Sequence, residues 1–398
     1  MSTGSTRHRN RGARLACVVV ALVTAPWTLA LVPTASKPED VGLSTDRLQR
    51  VHDAVQRHID AHDVSGAVTL VARRGRIAHL ESQGLMDIEA KKPMPKDGIF
   101  RLASMSKPIT GVAVMMLVEE GKIRLNDPVS RFIPEFRNLN KVAVPKPGVQ
   151  AGGGRGGPGG PGGGGGRGGP PLEFDTVSVS REITIRDLLT HTSGLVSGGL
   201  GAAAAPALAP RAPNDTLATY IPKLAAVPLD FQPGTLWRYS GQAGFDVLSR
   251  VVEVASGQPF DQFLKQRLFD PLGMKDTGFY PAGDGAARLV TLYRRTPNSL
   301  ERNEDQNQSI NRVYFSGAGG LMTTAADYLQ FAQMLQNGGH LNGRRFLGPK
   351  TVELMSSNHT GDMVNGQFGR PARGMGFGLS VQVVLDPVAA DLRVGAGT

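Results

Sequence analysis

Phe100-Arg101-Leu102-Ala103-Ser104-Met105-Ser106-Lys107-Pro108 is the stretch on which the reading of this chain turns. A serine and a lysine three residues apart stand on one face of a helical segment, where the amine reaches the hydroxyl. A serine alcohol is a weak nucleophile at neutral pH and needs a neighbouring base, a part that a desolvated lysine can take. The approach from Gly98 to Ala103 is apolar and irregular, and Thr110 to Gly121 reads as a buried helix ending at a glycine. Ser104 therefore falls near a helix N-terminus, where unpaired backbone N–H groups favour developing negative charge. The same four letters also suit an N-capping serine followed by a solvated lysine, so they need support from elsewhere in the chain.

Composition sets wide bounds. The 398 residues suffice for one large or two medium domains with a real core. The formal net charge is +10, and six of the cations are Arg7, Arg9, Arg11, Arg14, Arg155 and Arg167, which lie in the first segment and in a Gly-rich run. No basic face interleaved with aromatics accompanies them, which argues against a nucleic-acid partner. Residues 1–36 read as a signal peptide or membrane anchor: arginines, then an apolar run from Leu15 to Val32 interrupted by Pro26, then Thr34-Ala35-Ser36. Cleavage is expected near Ala35 or Ser36 and the location is periplasmic or secreted, with membrane contact only through an uncleaved segment. Cys17, the single cysteine, lies in the apolar run. The mature chain then has none, which suits an oxidising compartment without requiring disulfides.

Residues 40–398 read as one domain. Leu48, Val51, Val55 and Ile59 recur at helical spacing within Leu43 to His62. Val68 to Ala72 and Ile77 to Leu80, on either side of the basic turn Arg73-Arg74-Gly75-Arg76, read as a hairpin. From Gly152 to Gly169 fourteen of eighteen residues are glycine. Such a run buries no apolar surface to offset its backbone entropy, so 150–171 reads as a disordered insertion. It lacks the preceding strand and following helix of a dinucleotide fingerprint. Ile183 to Leu195 reads as a short helix ending at a glycine, Phe245 to Ala255, Phe260 to Leu268 and Thr324 to Leu335 as helices, and Met375 to Leu385 as a buried strand.

Four further stretches stand in order behind Ser104-Met105-Ser106-Lys107. They are Leu188-Leu189-Thr190-His191-Thr192-Ser193-Gly194-Leu195, Pro233-Gly234-Thr235-Leu236-Trp237-Arg238-Tyr239-Ser240, Pro271-Leu272-Gly273-Met274-Lys275-Asp276-Thr277 and Gly317-Ala318-Gly319-Gly320-Leu321-Met322-Thr323-Thr324-Ala325-Ala326-Asp327. Together they resemble the serine β-lactamase and penicillin-binding superfamily, in its class C-like branch and closest to the β-lactamase-like (family VIII) carboxylesterases. The resemblance runs from about Leu43 to Thr398, interrupted by the Gly-rich insertion. It implies an α+β fold of the β-lactamase/transpeptidase type, an antiparallel sheet flanked by helices with a helical region inserted. It implies Ser104 as acylated nucleophile, Lys107 and Tyr239 sharing the general-base work, Trp237 and Gly241 at the substrate, and no metal or organic cofactor. A neighbouring Lys107 is expected to favour the Tyr239 phenolate, since a cation lowers a tyrosine's titration. Where the family's tyrosine motif reads Tyr-x-Asn, Gly241 takes the place of the amide. The esterase-like branch tolerates that departure, so the implied function is hydrolysis of small esters or amides through an acyl-enzyme, with β-lactams or D-amino-acid peptides as the alternative.

Other candidates are weaker. His191 offers a serine–histidine arrangement but sits in a helix-ending motif that reads as structural. His58 and His62 stand four apart with no third metal ligand in view. No Gly-x-Ser-x-Gly elbow occurs. The family's third element is a Lys-Thr-Gly, His-x-Gly or Trp-Gly-Gly-like edge strand that supplies an oxyanion N–H. Here Val394-Gly395-Ala396-Gly397-Thr398 stands where it should begin. His359-Thr360-Gly361 imitates the letters but follows a helix (Lys350 to Ser357) and precedes the expected strand. The expectation is therefore a chain truncated at its C-terminal end, without that motif, two strands and a final helix. Loss of one oxyanion donor costs on the order of 10²–10³ in rate, which leaves a catalytically impaired fragment or a non-catalytic binding relative as the competing reading.

Overall fold

The computed structural model describes residues 31–139, 141–146, 173–297, 299–304, 310, 312–364 and 373–392, together with residues 1, 2 and 4. The arginines of the first segment, most of the apolar run with Cys17, the 150–171 insertion and Val394–Thr398 lie outside the described residues. Among the described residues no helix is long and apolar enough to cross a membrane.

Helix α1 (Thr45–Asp60) starts at Ser44, whose hydroxyl accepts from the Arg47 amide at 3.3 Å. Its stripe of Leu48, Val51, Val55 and Ile59 is half-buried, and no α1 residue is fully buried. Strands β1 (Gly66–Arg73) and β2 (Arg76–Asp87) form the expected hairpin, from Gly66 opposite Gly84 to Arg73 opposite Arg76. Arg74 and Gly75 at its tip both take positive φ, 52° and 69°, and the twist of such a turn matches that of the strands. β3 (Lys92–Pro93) extends this antiparallel sheet beyond β2. Thr34 bridges Ile77 and the Ala35 amide donates to the Ile77 carbonyl, so the cleavage boundary expected near Ala35 or Ser36 falls on residues paired with β2.

β4 (Phe100–Arg101) passes through a 3₁₀ turn (Ala103–Met105) into α2 (Ser106–Glu119). Ile109, Val112, Ala113, Val114, Met115 and Leu117 are wholly buried, because a helix apolar on every face has to be central. It ends at Gly121, in the left-handed conformation of a helix stop. β5 (Lys141–Pro145) and β6 (Phe174–Ser178), the strands on either side of the Gly-rich run, pair antiparallel along their length. The helical region follows as α3 (Ile185–Leu189), α4 (Leu200–Leu208), α5 (Leu217–Tyr220) and α6 (Ala243–Ser256), with α6 packed across α2 and α3. α7 (Phe260–Leu264) runs through a π-helical turn (Lys265–Phe269) into α8 (Asp270–Leu272). The remainder holds β7 (Met322–Thr323), which pairs with β4, α9 (Ala325–Gln336), α10 (Pro349–Met355), β8 (Met375–Phe377) and β9 (Gln382–Val384).

Two segments differ from the sequence reading. The helix expected to run to Gly194 stops at Leu189, since His191 takes φ 60° and Gly194 φ 73°. The single strand expected over Met375–Leu385 is a hairpin, with Met375 opposite Val384 and Phe377 opposite Gln382. Gly378 is pressed against the Met355 carbonyl, Leu379 N donates to that same carbonyl and Ser380 N to Leu189 O, each at 2.9 Å. With Ser380 at φ 73° the chain must turn back.

Ser380 also fills the space above Gly111 on α2, where an added Cβ would collide with the Ser380 side chain. Gly111→Ala is expected to cost about 1–3 kcal/mol through overpacking, read as a lower urea midpoint with an unchanged slope.

Candidate active site

Ser104 lies in the 3₁₀ turn that feeds α2 and is exposed, whereas Lys107, one step into α2, is buried. Ala103, just before the serine, holds φ 46°, a left-handed backbone that costs about 1–2 kcal/mol for a residue other than glycine. It is held there by β4 on one side, where Leu102 N donates to Leu321 O at 2.9 Å, and by α2 on the other. The turn closes on itself, with Met105 N donating to Leu102 O at 3.1 Å and Ser106 N to Ala103 O, so the Ser104 hydroxyl is presented on an exposed turn at the head of α2.

The lysine is defined by three contacts. Nζ lies 3.1 Å from Ser104 Oγ and donates to the carbonyls of Gly241 at 2.8 Å and Ala318 at 2.9 Å. Burial pushes its pKa down to about 8, with the nearby Asp246 carboxylate pulling the other way. A neutral amine has two N–H bonds and one lone pair. The two carbonyls take the N–H bonds, which leaves the lone pair for the serine proton. From the other side the Tyr239 hydroxyl donates to Ser104 Oγ at 2.7 Å.

Tyr239 is a neutral phenol, not the expected phenolate. Burial raises the Tyr239 pKa above its ordinary value, against the lowering effect of the Ser104 hydrogen bond. Lys107 approaches the tyrosine over its ring, 5.0 Å from the centroid, and desolvation holds down the lysine's own charge. In the resting site the phenol is therefore a donor and the lysine carries the basicity.

Gly241, expected beside the substrate, contributes its carbonyl to Lys107. Trp237 is buried with Val364 and Phe377 in a cluster against which Tyr239 packs. His191 is buried in the same aromatic group, its ring 4.5 Å from Tyr239 and 5.2 Å from Phe377. Its Nδ1 accepts from the Ser240 amide at 3.2 Å, and burial together with the Lys107 charge pushes its pKa down to about 3. A neutral imidazole that braces the Tyr239–Ser240 turn is the structural part the sequence suggested. His359 and Thr360 brace β8: His359 N donates to Phe377 O at 2.8 Å, and Thr360 Oγ1 accepts from Phe377 N at 3.2 Å. His58 pairs with Asp63 at 2.7 Å, and His62 lies beyond the end of α1.

Two parts of the site escaped sequence reasoning. Ala318 lies in the 317–327 stretch, which the sequence offered as part of the resemblance with no role for its carbonyl, and that carbonyl is a lysine ligand. Asp246, in the first turn of α6, reads as one polar residue on an amphipathic helix. No local pattern signals either role.

A serine hydroxyl held between a buried lysine and a tyrosine, at the head of a buried helix in a fold of antiparallel sheet and helical region, defines a serine hydrolase of the acyl-transfer kind. The chain belongs to the Beta-lactamase family, whose model matches residues 51–386. It is 37% identical over 354 residues to Protein Rv1367c of Mycobacterium tuberculosis, covering 86% of this chain and 81% of that one. It is 32% identical over 398 residues to Esterase EstB of Burkholderia gladioli, covering 93% and 87%. Among solved structures it resembles EstCE1, a hydrolase with promiscuous acyltransferase activity, with a TM-score of 0.68 at 28% identity over 88% of this chain and 86% of that one.

Because the neutral amine is the reactive form, the rate of Ser104 acylation by a fluorophosphonate is expected to rise with pH through about 8. Lys107→Ala is expected to lower that rate by roughly 10²–10⁴ and to abolish the acid limb, measured by stopped labelling across the pH range.

Proposed function

We propose that this chain is an exported carboxylesterase that hydrolyses small esters through an acyl-enzyme on Ser104. The observation that carries the reading is the lone-pair arithmetic at Lys107, with both N–H bonds spent on Gly241 O and Ala318 O and Ser104 Oγ at 3.1 Å. Ser104 Oγ attacks the ester carbonyl and its proton passes to Lys107. The oxyanion draws on the Ser104 amide in the first helical turn. As the tetrahedral intermediate collapses, the ester C–O bond breaks and the leaving alkoxide takes the Tyr239 proton. The phenolate then stands beside a cationic Lys107, the condition under which a tyrosine gives up its proton. In deacylation the phenolate takes a proton from water, hydroxide attacks the acyl carbon, and Ser104 Oγ leaves with the Lys107 proton. Both side chains return to their starting states.

Two features favour esters. A relative at 32% identity carries the name esterase. At Gly241 an added Cβ would meet nothing within 4 Å, so the position leaves open space where the related motif carries an amide. Residues 40–398 would form the catalytic domain, 150–171 an insertion joining β5 to β6, and 1–36 the export segment.

Hydrolysis of p-nitrophenyl butyrate that disappears in Ser104→Ala, with nitrocefin turned over at least about 10²-fold less well, is the expected outcome. A preference for nitrocefin would replace the ester reading with a β-lactamase one. Absence of a Ser104-dependent adduct in folded protein would overturn the enzyme reading.

A further inference from the structure

We infer that Asp246 is a positioning residue for this chemistry, fastening the 314–318 loop so that Ala318 presents its carbonyl to Lys107 and placing a carboxylate behind the amine that receives the serine proton. The inference rests on the base role given to Lys107 above.

Asp246 is buried in the first turn of α6. Three donors from one loop meet its two oxygens: the Tyr314 hydroxyl on Oδ2 at 2.8 Å, and on Oδ1 the Ser316 hydroxyl at 2.6 Å and the Ala318 amide at 3.2 Å. The residue whose N–H binds the aspartate is the same one whose carbonyl binds Lys107. Midway, Gly317 is pinned twice, its amide donating to Ser249 Oγ at 3.2 Å and its carbonyl accepting from Thr110 Oγ1 at 2.8 Å. An added Cβ there would crowd both hydroxyls, so the loop fits its slot between α2 and α6 only as glycine.

The charges around the pair are few. Facing Lys107 are the Tyr239 ring and the buried imidazole of His191. Behind Asp246 stand Tyr314 and, edge-on to it at 5.8 Å, Tyr220, with the Arg211 guanidinium 3.8 Å from the Tyr314 ring. Burial pushes the Asp246 carboxyl up from its ordinary range, while the three donors and Lys107 pull against that rise. When the serine proton arrives, the ammonium so formed lies within the field of the Asp246 carboxylate in a low-dielectric interior, where an opposite charge stabilises it most.

Asp246→Asn removes the charge and keeps an acceptor for the Ala318 amide. Its acid limb in kcat/KM is expected to move to lower pH by about one unit, with the plateau kcat down about tenfold because the amine is a weaker base. Asp246→Glu keeps the charge and displaces the loop, so its limb should stay near the wild-type position while kcat falls. A purely structural aspartate predicts lower thermal stability and kcat in both variants with an unmoved limb, and that result in folded protein would overturn the inference. If the amide variant does not fold, the smaller neutral Asp246→Ser reports the same limb. Failure of the base reading is separable: it would show as Ser104 labelling that survives Lys107→Ala, whatever Asp246 does.

Discussion

Burial of the Lys107 amine governs the rest of the molecule. An ammonium removed from water without partners loses several kcal/mol of hydration, and a lysine so placed either finds acceptors or gives up its proton. Here it does part of each. The carbonyls of Gly241 and Ala318 come from segments 134 and 211 residues further along the chain. Neither partner exists until both segments have folded against α2, so the reactive state of the serine depends on nearly the whole chain between Ser104 and β7.

That dependence explains why the surroundings of the lysine are so tightly packed. α2 is apolar on all sides and sits at the centre of the core, with the hairpin of β8 and β9 seated on Gly111 through Ser380. The 314–318 loop is held at Tyr314, Ser316, Gly317 and Ala318 by side chains of α2 and α6. The Tyr239 turn is braced by His191, which binds the Ser240 amide through its ring and the Arg238 amide through its carbonyl. A site built from three chain segments keeps its sub-ångström geometry only if each is locked by its own hydrogen bonds.

The proton inventory follows from the same packing. Desolvation acts on Lys107, Tyr239 and His191 alike, and in each it disfavours the charged form. His191 and Tyr239 therefore rest neutral, while Lys107 gives up its charge only as the pH rises through about 8. In the proposed reaction charge separates between Lys107 and Tyr239, with Asp246 placed to stabilise the ammonium and the cation beside the phenol to stabilise the phenolate.

Much was legible in the letters. The serine and lysine are local, because three residues along a helix fix their spacing whatever surrounds them. The helix that carries them is apolar throughout, which reads directly as burial, and the helix-ending motif at His191 reads as structural because a left-handed stop has its own residue pattern. Tyr239 was legible through its motif, but its protonation was not, since a pKa depends on the volume of water excluded around it. The strand over Met375–Leu385 reads as continuous because its residues are apolar throughout, and it breaks only because Met355 and Leu189 offer backbone acceptors at Gly378–Ser380. The roles of Asp246 and of the Ala318 carbonyl carry no local signal, even though Ala318 lies in a recognisable motif: a carboxylate on a helix and a peptide bond in a turn look alike everywhere until folding places them near a buried amine. Sequence alone determined that Ser104 and Lys107 stand together, through short-range spacing; tertiary structure decided which groups join them and where charge is disfavoured, through burial and partners drawn from distant segments.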